Sequence, residues 1–186
     1  MSIELLQKCG KTISYPKNTI ICRENEPGHS MYILLSGSVE VKINSYSDDA
    51  QSLVTLHKGS FFGEMSLLEK KPRSATVFAR SDDVIVLEID EKNFPTLLLE
   101  GTDIAYHLLR TLNKRLNDML DRIEDEYRKF VYHYRKNSTY QAIQKLKQPD
   151  FETIAHENPS YTWTLLKYLS SCLNEINNVY LNGIEK

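Results

Sequence analysis

Gly59-Ser60-Phe61-Phe62-Gly63-Glu64-Met65-Ser66-Leu67-Leu68-Glu69-Lys70-Lys71-Pro72-Arg73-Ser74-Ala75-Thr76-Val77 concentrates the chemistry of this chain. A strand is expected to end at Phe62, with at least one of Phe61 and Phe62 in the core. Gly63 then permits a sharp turn in which backbone approaches backbone. Glu64 to Leu68 begins a short helical turn, and the free N–H groups at its start suit an anion. Pro72 stiffens the loop that presents Arg73, whose guanidinium can bind two phosphate oxygens in parallel. Glu64 is an acceptor-only carboxylate able to hold a sugar hydroxyl. Together these groups suit a ribose phosphate. The residues alone leave a second reading open, in which Glu64 and Arg73 form a surface ion pair worth about 0–1 kcal/mol.

On both sides of this segment lie short runs rich in β-branched and aromatic residues. Upstream are Thr19–Cys22, Met31–Leu35, Val39–Ile43 and Ser52–Leu56; downstream are Ala75–Ala79 and Val84–Ile89. Turn signals separate them at Glu26-Pro27-Gly28, Ser36-Gly37-Ser38, Ser47-Asp48-Asp49, Lys58-Gly59 and Ser81-Asp82-Asp83. Many short strands at this spacing predict a β barrel or double-sheet jelly roll. After Ile89 the pattern turns helical, so the fold class is α+β. Glu91–Leu99 reads as a short helix ended by Gly101, and Thr102 is a plausible N-cap for the next. From there no Pro or Gly occurs until Pro149. Ala105, Leu109, Leu112, Leu116, Met119 and Ile123 make a heptad seam. One helix from Thr102 to about Lys136 would be roughly 50 Å long at 1.5 Å per residue. The expectation is a homodimer coiled coil through that helix; packing on the C-terminal region is the alternative. Thr139–Lys147 and Thr164–Leu181 read as further helices, the latter closed by Asn182-Gly183. Three parts are expected: 1–101, the β barrel with flanking short helices; 102–136, the long helix; 137–186, a small helical region.

The run Phe62-Gly63-Glu64-Met65-Ser66-Leu67, followed after four residues by Pro72-Arg73-Ser74-Ala75-Thr76-Val77, resembles the phosphate-binding cassette of cyclic-nucleotide-binding domains. Met31–Val41, with its Ser36-Gly37-Ser38 turn, resembles the second hallmark of that family, and the likeness covers about residues 12 to 120. The resemblance implies a jelly roll that binds cAMP or cGMP without a metal or other cofactor. It implies that Glu64 accepts the ribose 2′-hydroxyl and that Arg73 pairs with the phosphate oxygens. Backbone N–H groups near Met65, Ser66 and Ala75 would complete the cradle, Ser74 could add a hydroxyl, and Phe62 and Gly63 would shape it. In catabolite-activator-like relatives a Thr-Ser pair on the long helix bonds adenine. The matching place here falls near Met119-Leu120, so Asn113 and Asn117 are the nearby amides left as base contacts. Guanine-selective kinases prefer threonine after the arginine; Ser74 lacks the methyl, which tilts the expectation toward cAMP. Loss of ligand binding, leaving a structural or interaction module, is a further alternative.

The remaining composition sets limits. With 41% hydrophobic residues in 186, a genuine core is available, and the net charge of −2 gives no general pull toward nucleic acid or anionic membrane. No apolar run approaches a membrane span of about 20 residues. The start Met1-Ser2-Ile3-Glu4-Leu5 does not look like a signal peptide. Cys9, Cys22 and Cys172 suit reduced thiols in the cytoplasm. A catabolite-activator-like DNA-binding regulator is an alternative because Arg110, Lys114, Arg115, Arg122, Arg128, Lys129, Arg135 and Lys136 make the long helix locally basic. Against it, Lys145, Lys147, Lys167 and Lys186 meet Asp150, Glu152, Glu157, Glu175 and Glu185, and no arginine follows Arg135. Dispersed histidines and the lack of a nucleophile–base constellation argue for a regulatory protein and not an enzyme. The aromatic bias from Tyr127 to Tyr180 reads as a helical core, a docking surface for a partner protein being the alternative.

Overall fold

The computed structural model describes residues 3–48, 50–124 and 127–182. The chain divides into two compact units between Leu97 and Leu98. In order, the elements are α1 (Ile3–Cys9), β1 (Lys11–Tyr15), β2 (Ile20–Cys22), β3 (Ser30–Ser36), β4 (Ser38–Ile43), β5 (Gln51–His57), β6 (Phe61–Phe62), α2 (Glu64–Glu69), β7 (Thr76–Ala79), β8 (Val84–Asp90), α3 (Phe94–Glu100), α4 (Thr102–Ile123), α5 (Arg128–Lys136), α6 (Ser138–Lys145), α7 (Gln148–Glu157) and α8 (Pro159–Asn182).

The first unit is the expected jelly roll. Two four-stranded antiparallel sheets have the orders β1-β8-β3-β6 and β2-β7-β4-β5. Their inner faces supply Tyr32, Leu34, Phe62, Val84 and Val86 from one sheet and Cys22, Val39, Val77 and Ala79 from the other. The spacing of two along each strand places these side chains on one face. Fully burying one valine or leucine is worth about 1.5–3 kcal/mol, so this layer dominates the stability of the sandwich. β3 and β8 also bury their opposite faces through Met31, Ile33, Leu87 and Ile89. That is why their sequences run apolar instead of alternating. α2 lies against β3, with Leu67 and Leu68 buried. The alternation-poor runs therefore mark the sheet that carries the site.

The second unit is helical and corrects the expected long helix. α4 stops at Ile123, and the backbone at Tyr127 (φ −120°, ψ 41°) is not helical before α5 begins. Arg135 pairs with both Asp121 and Glu124, at 3.2 Å from Glu124 Oε2. In one straight helix, Glu124 and Arg135 would lie about 16 Å apart, so the ion pairs record a chain folded back. Burial on α4 is also broader than a heptad seam: Ile104, Leu108 and Leu120 are buried with Ala105, Leu109, Leu112, Leu116 and Ile123, and Met119 is half-buried. A stripe this wide suits packing in a globular unit. It is covered within the chain, because α4 packs on α7 and α8, which bury Phe151, Leu165, Leu166, Leu169, Leu173 and Ile176. The seam that suggested a homodimer is thus occupied by α8.

Aromatic residues fill this unit as a core, with Tyr134 and Tyr140 buried and Tyr106 tilted against Phe151 at 5.5 Å between ring centroids. Asn137 caps α6, its Oδ1 accepting from Thr139 N at 2.9 Å and Tyr140 N at 3.1 Å. Pro149 stands in the first turn of α7 instead of ending a helix. The expected helix closure at Asn182-Gly183 reaches outside the described residues at Gly183, as do Asp49 of the β4–β5 turn and Met1-Ser2 of the N-terminus. No described helix is long and apolar enough to cross a membrane.

Candidate functional site

β6 ends at Phe62, and the chain reverses at Gly63 in the left-handed conformation (φ 76°) before α2 starts at Glu64. Phe61 and Phe62 are both buried, and Phe62 stacks on Tyr32 with centroids 5.0 Å apart. Gly63 is required twice over. Its φ disfavours a side chain, and a Cβ there would stand 2.6 Å from Arg73 Nη1. The first N–H groups of α2 have no partner inside the helix by construction and face the turn from which it springs.

Glu64 is 1% exposed and Arg73 is 7% exposed. Charged groups are seldom buried to this degree unless they are paired or serve a ligand. The surface ion pair that the residues alone allowed is therefore not what the structure shows. Arg73 Nη1 donates to the Gly63 carbonyl oxygen at 2.6 Å, and the guanidinium carbon lies 5.7 Å from the Tyr32 ring centroid. That bond uses one of the five N–H donors of the guanidinium. The backbone of Arg73 is held as well: its N–H donates to Glu26 O and its carbonyl accepts from Asn25 N, each at 2.9 Å. The fields of both charges reach the core. Burial pushes the Cys22 thiol up to about 11, with the Arg73 cation opposing the rise and the Glu64 carboxylate adding to it.

Of the other expected site residues, Ser66 is buried, Met65 and Ala75 are half-buried, and Ser74 is exposed with Oγ 4.0 Å from Met65 Sδ. Phe62, Gly63, Glu64, Met65, Ser66, Arg73, Ser74 and Ala75 thus lie on one continuous turn–helix–loop at the end of β6 and the start of β7. Asn113 and Asn117 belong to the helical unit and are engaged there. Asn113 and Gln144 exchange amide hydrogen bonds at 2.9 and 3.3 Å. Asn117 Nδ2 donates to Asn113 O at 2.9 Å, and Asn117 Oδ1 accepts from the Tyr140 hydroxyl. Asn113 is 2% exposed, so the base-contact expectation meets two amides already employed in packing.

Two residues not singled out in the sequence stand on the sheet into which the Arg73 loop runs. Val41 faces Val54 across β4–β5, next to a register shift between Val41 and Lys42. Val41 also faces Val77 of β7. Val41 and Leu56 pack on the core, so Val54, two residues before Leu56, shares the inward face, yet it is 45% exposed. An open apolar patch therefore lies two strands away from β7, into which the Arg73 loop runs. A bulge beside an inward valine is a signal that only the pairing register reveals.

The loop between α2 and β7 is tethered by exposed ion pairs. Lys70, at the end of α2, places Nζ 2.9 Å from Glu91 Oε2, and His29 Nδ1 lies 3.9 Å from the same oxygen. Glu91 is held below its ordinary value, chiefly by the hydrogen bond from Lys70.

Comparison with known proteins agrees with this geometry: residues 12–100 match the cyclic nucleotide-binding domain family. This part of the chain belongs to that family. Human cGMP-dependent protein kinase 2 is 38% identical over 87 residues, which is 46% of this chain and 11% of the kinase. The cAMP-dependent protein kinase regulatory subunit of Candida albicans is 34% identical over 113 residues, 60% of this chain and 21% of the subunit. Among solved structures, the cAMP-binding acyltransferase from Mycobacterium smegmatis superposes with a TM-score of 0.55 at 25% identity, covering 63% of this chain and 36% of that one. The matched stretch thus spans about a tenth to about a third of these relatives.

Proposed function

We propose that the domain senses a cyclic nucleotide, cAMP in preference to cGMP, and that the chain regulates a partner and is not itself an enzyme. One observation carries this reading: Glu64, the first residue after the Gly63 turn, and Arg73, which bonds the Gly63 carbonyl, are both buried. A cyclic phosphate carries one negative charge and two exocyclic oxygens. Arg73 meets that charge with a planar, permanently protonated group from which water is largely excluded. Glu64 accepts the ribose 2′-hydroxyl, and the purine face rests on Val41 and Val54. Ser74 offers a hydroxyl without the methyl of threonine, which supports adenine over guanine. The buried cysteines Cys9, Cys22 and Cys172 suit a cytoplasmic setting.

The signal leaves through the β8–α3 junction. Asp90 Oδ1 accepts from Lys92 N at 3.1 Å and Asn93 N at 2.8 Å, which shapes the turn into α3. Glu91 in that turn holds Lys70 at the end of α2. Ordering of the Gly63–Arg73 segment by phosphate therefore shifts the tether to α3, and the helical unit or a partner protein receives the change. The shift is no larger than the ligand's differential affinity for the two states.

Calorimetric titration of Arg73→Ala and Arg73→Lys tests the reading. Removing the guanidinium leaves the phosphate charge unpaired, at about 2–5 kcal/mol, so Arg73→Ala weakens binding about 30-fold or more. Arg73→Lys, a point charge without the fork, falls between. Affinity within 3-fold of the parent in Arg73→Ala contradicts it.

A further inference from the structure

The guanidinium of Arg73 is enclosed by a residue that lies far outside the turn–helix–loop. A Cβ built on Gly28 would stand 2.4 Å from Arg73 Nε, 2.5 Å from Cζ and 2.8 Å from Cδ. These are the three nearest heavy atoms, and all belong to one side chain. The backbone of the β2–β3 loop at Gly28 is therefore a wall of the arginine slot, with Gly63 and the Tyr32 ring as the others. Glu26 and Asn25, just before Gly28, hold the Arg73 backbone through reciprocal hydrogen bonds of 2.9 Å. One loop thus fixes both the main chain and the side chain of Arg73. Gly28 is not among the described glycines with positive φ, which are Gly37, Gly59 and Gly63. The backbone conformation alone does not call for glycine there; the arginine does.

We infer that Gly28 is a positioning residue for Arg73: its bare backbone lets the guanidinium lie where a phosphate can meet it. Any side chain at position 28 drives Arg73 out of the slot and off the Gly63 carbonyl. The effect acts through Arg73, so removing the Arg73 side chain removes the collision. The consequence for ligand rests on the cyclic-nucleotide reading above; the collision itself does not.

The test is a cycle of Gly28→Ala, Arg73→Ala and the double variant, read by cAMP titration and by thermal unfolding without ligand. Gly28→Ala is expected to weaken cAMP binding about 30-fold, as loss of the arginine does. Without ligand, the change in midpoint caused by Gly28→Ala is expected with Arg73 present and absent in the Arg73→Ala background. Parent-like cAMP binding by Gly28→Ala overturns the inference. A parent that binds no nucleotide refutes the functional reading instead, and the ligand-free cycle then decides: an equal effect of Gly28→Ala in both backgrounds overturns the inference, and an effect confined to the Arg73 background supports it.

Discussion

Replacing Glu64 by alanine, and reading the result with two ligands, isolates the sugar contact. Glu64 is 1% exposed at the first position of α2, so a hydrogen bond to its carboxylate forms away from competing water. A hydrogen bond to a charged group is worth about 1.5–3 kcal/mol, which is about 10- to 150-fold in affinity. The parent is therefore expected to bind cAMP about 10- to 150-fold more tightly than 2′-deoxy-cAMP. In Glu64→Ala the preferred ligand loses its acceptor while the deoxy ligand loses nothing specific, so the ratio collapses below about 3-fold. Glu64→Gln keeps the shape and a neutral acceptor and gives an intermediate ratio. Competition titration with both nucleotides against all three proteins supplies the cycle. If Glu64→Ala weakens both ligands equally and keeps the parent's ratio, Glu64 supports the turn and does not hold the sugar.

The helical unit and the core make separate predictions. Asn113→Ala leaves the exposed Gln144 amide without its reciprocal partner, so unfolding is expected to become easier by about 0.5–1.5 kcal/mol while cAMP affinity stays within 2-fold; a 10-fold affinity loss in a stably folded Asn113→Ala would restore the base-contact role. Cys22 is expected to make the fold alkali-sensitive. Its thiol is raised from near 9 to about 11 by burial, so the folded state holds the proton longer than the unfolded chain does. Stability is then full below pH 9 and falls as pH rises through 11, by roughly 3 kcal/mol for this group. Cys22→Ala should lose less stability than the parent across that window in denaturant titrations, and equal losses would remove the thiol from the account.

The site was legible where it is local. Gly63 and Arg73 lie ten residues apart on one loop, and each residue type has a single physical reason to be there. The jelly roll was legible because β-branched runs and turn signals recur, although two-residue β6 and solvent-facing β1 carry too little pattern to stand out as strands. Burial of Arg73 was not legible: its slot is built by Gly28 and Tyr32, which reach it only through sheet topology. The break between α4 and α5 has no glycine or proline to announce it. It is imposed by tertiary contacts, with Val131 and Tyr134 turned into the unit and Arg135 drawn back to Asp121 and Glu124. Pro149 signals a stop and a start equally well, and α7 shows that it begins a helix. Asn113 and Asn117 lie on α4 where a base contact was sought, but side-chain spacing along one helix says nothing of Gln144 and Tyr140 arriving from another.

Calorimetric titration of the unaltered chain with cAMP, with cGMP and 5′-AMP alongside, tests the central claim most directly. The account predicts saturable one-site binding of cAMP at micromolar concentration or below, weaker binding of cGMP, and none of 5′-AMP at the same concentrations, because its doubly charged, acyclic phosphate does not match the turn–helix–loop that carries Gly63 and Arg73. Absence of heat and of any thermal shift with both cyclic nucleotides would contradict it.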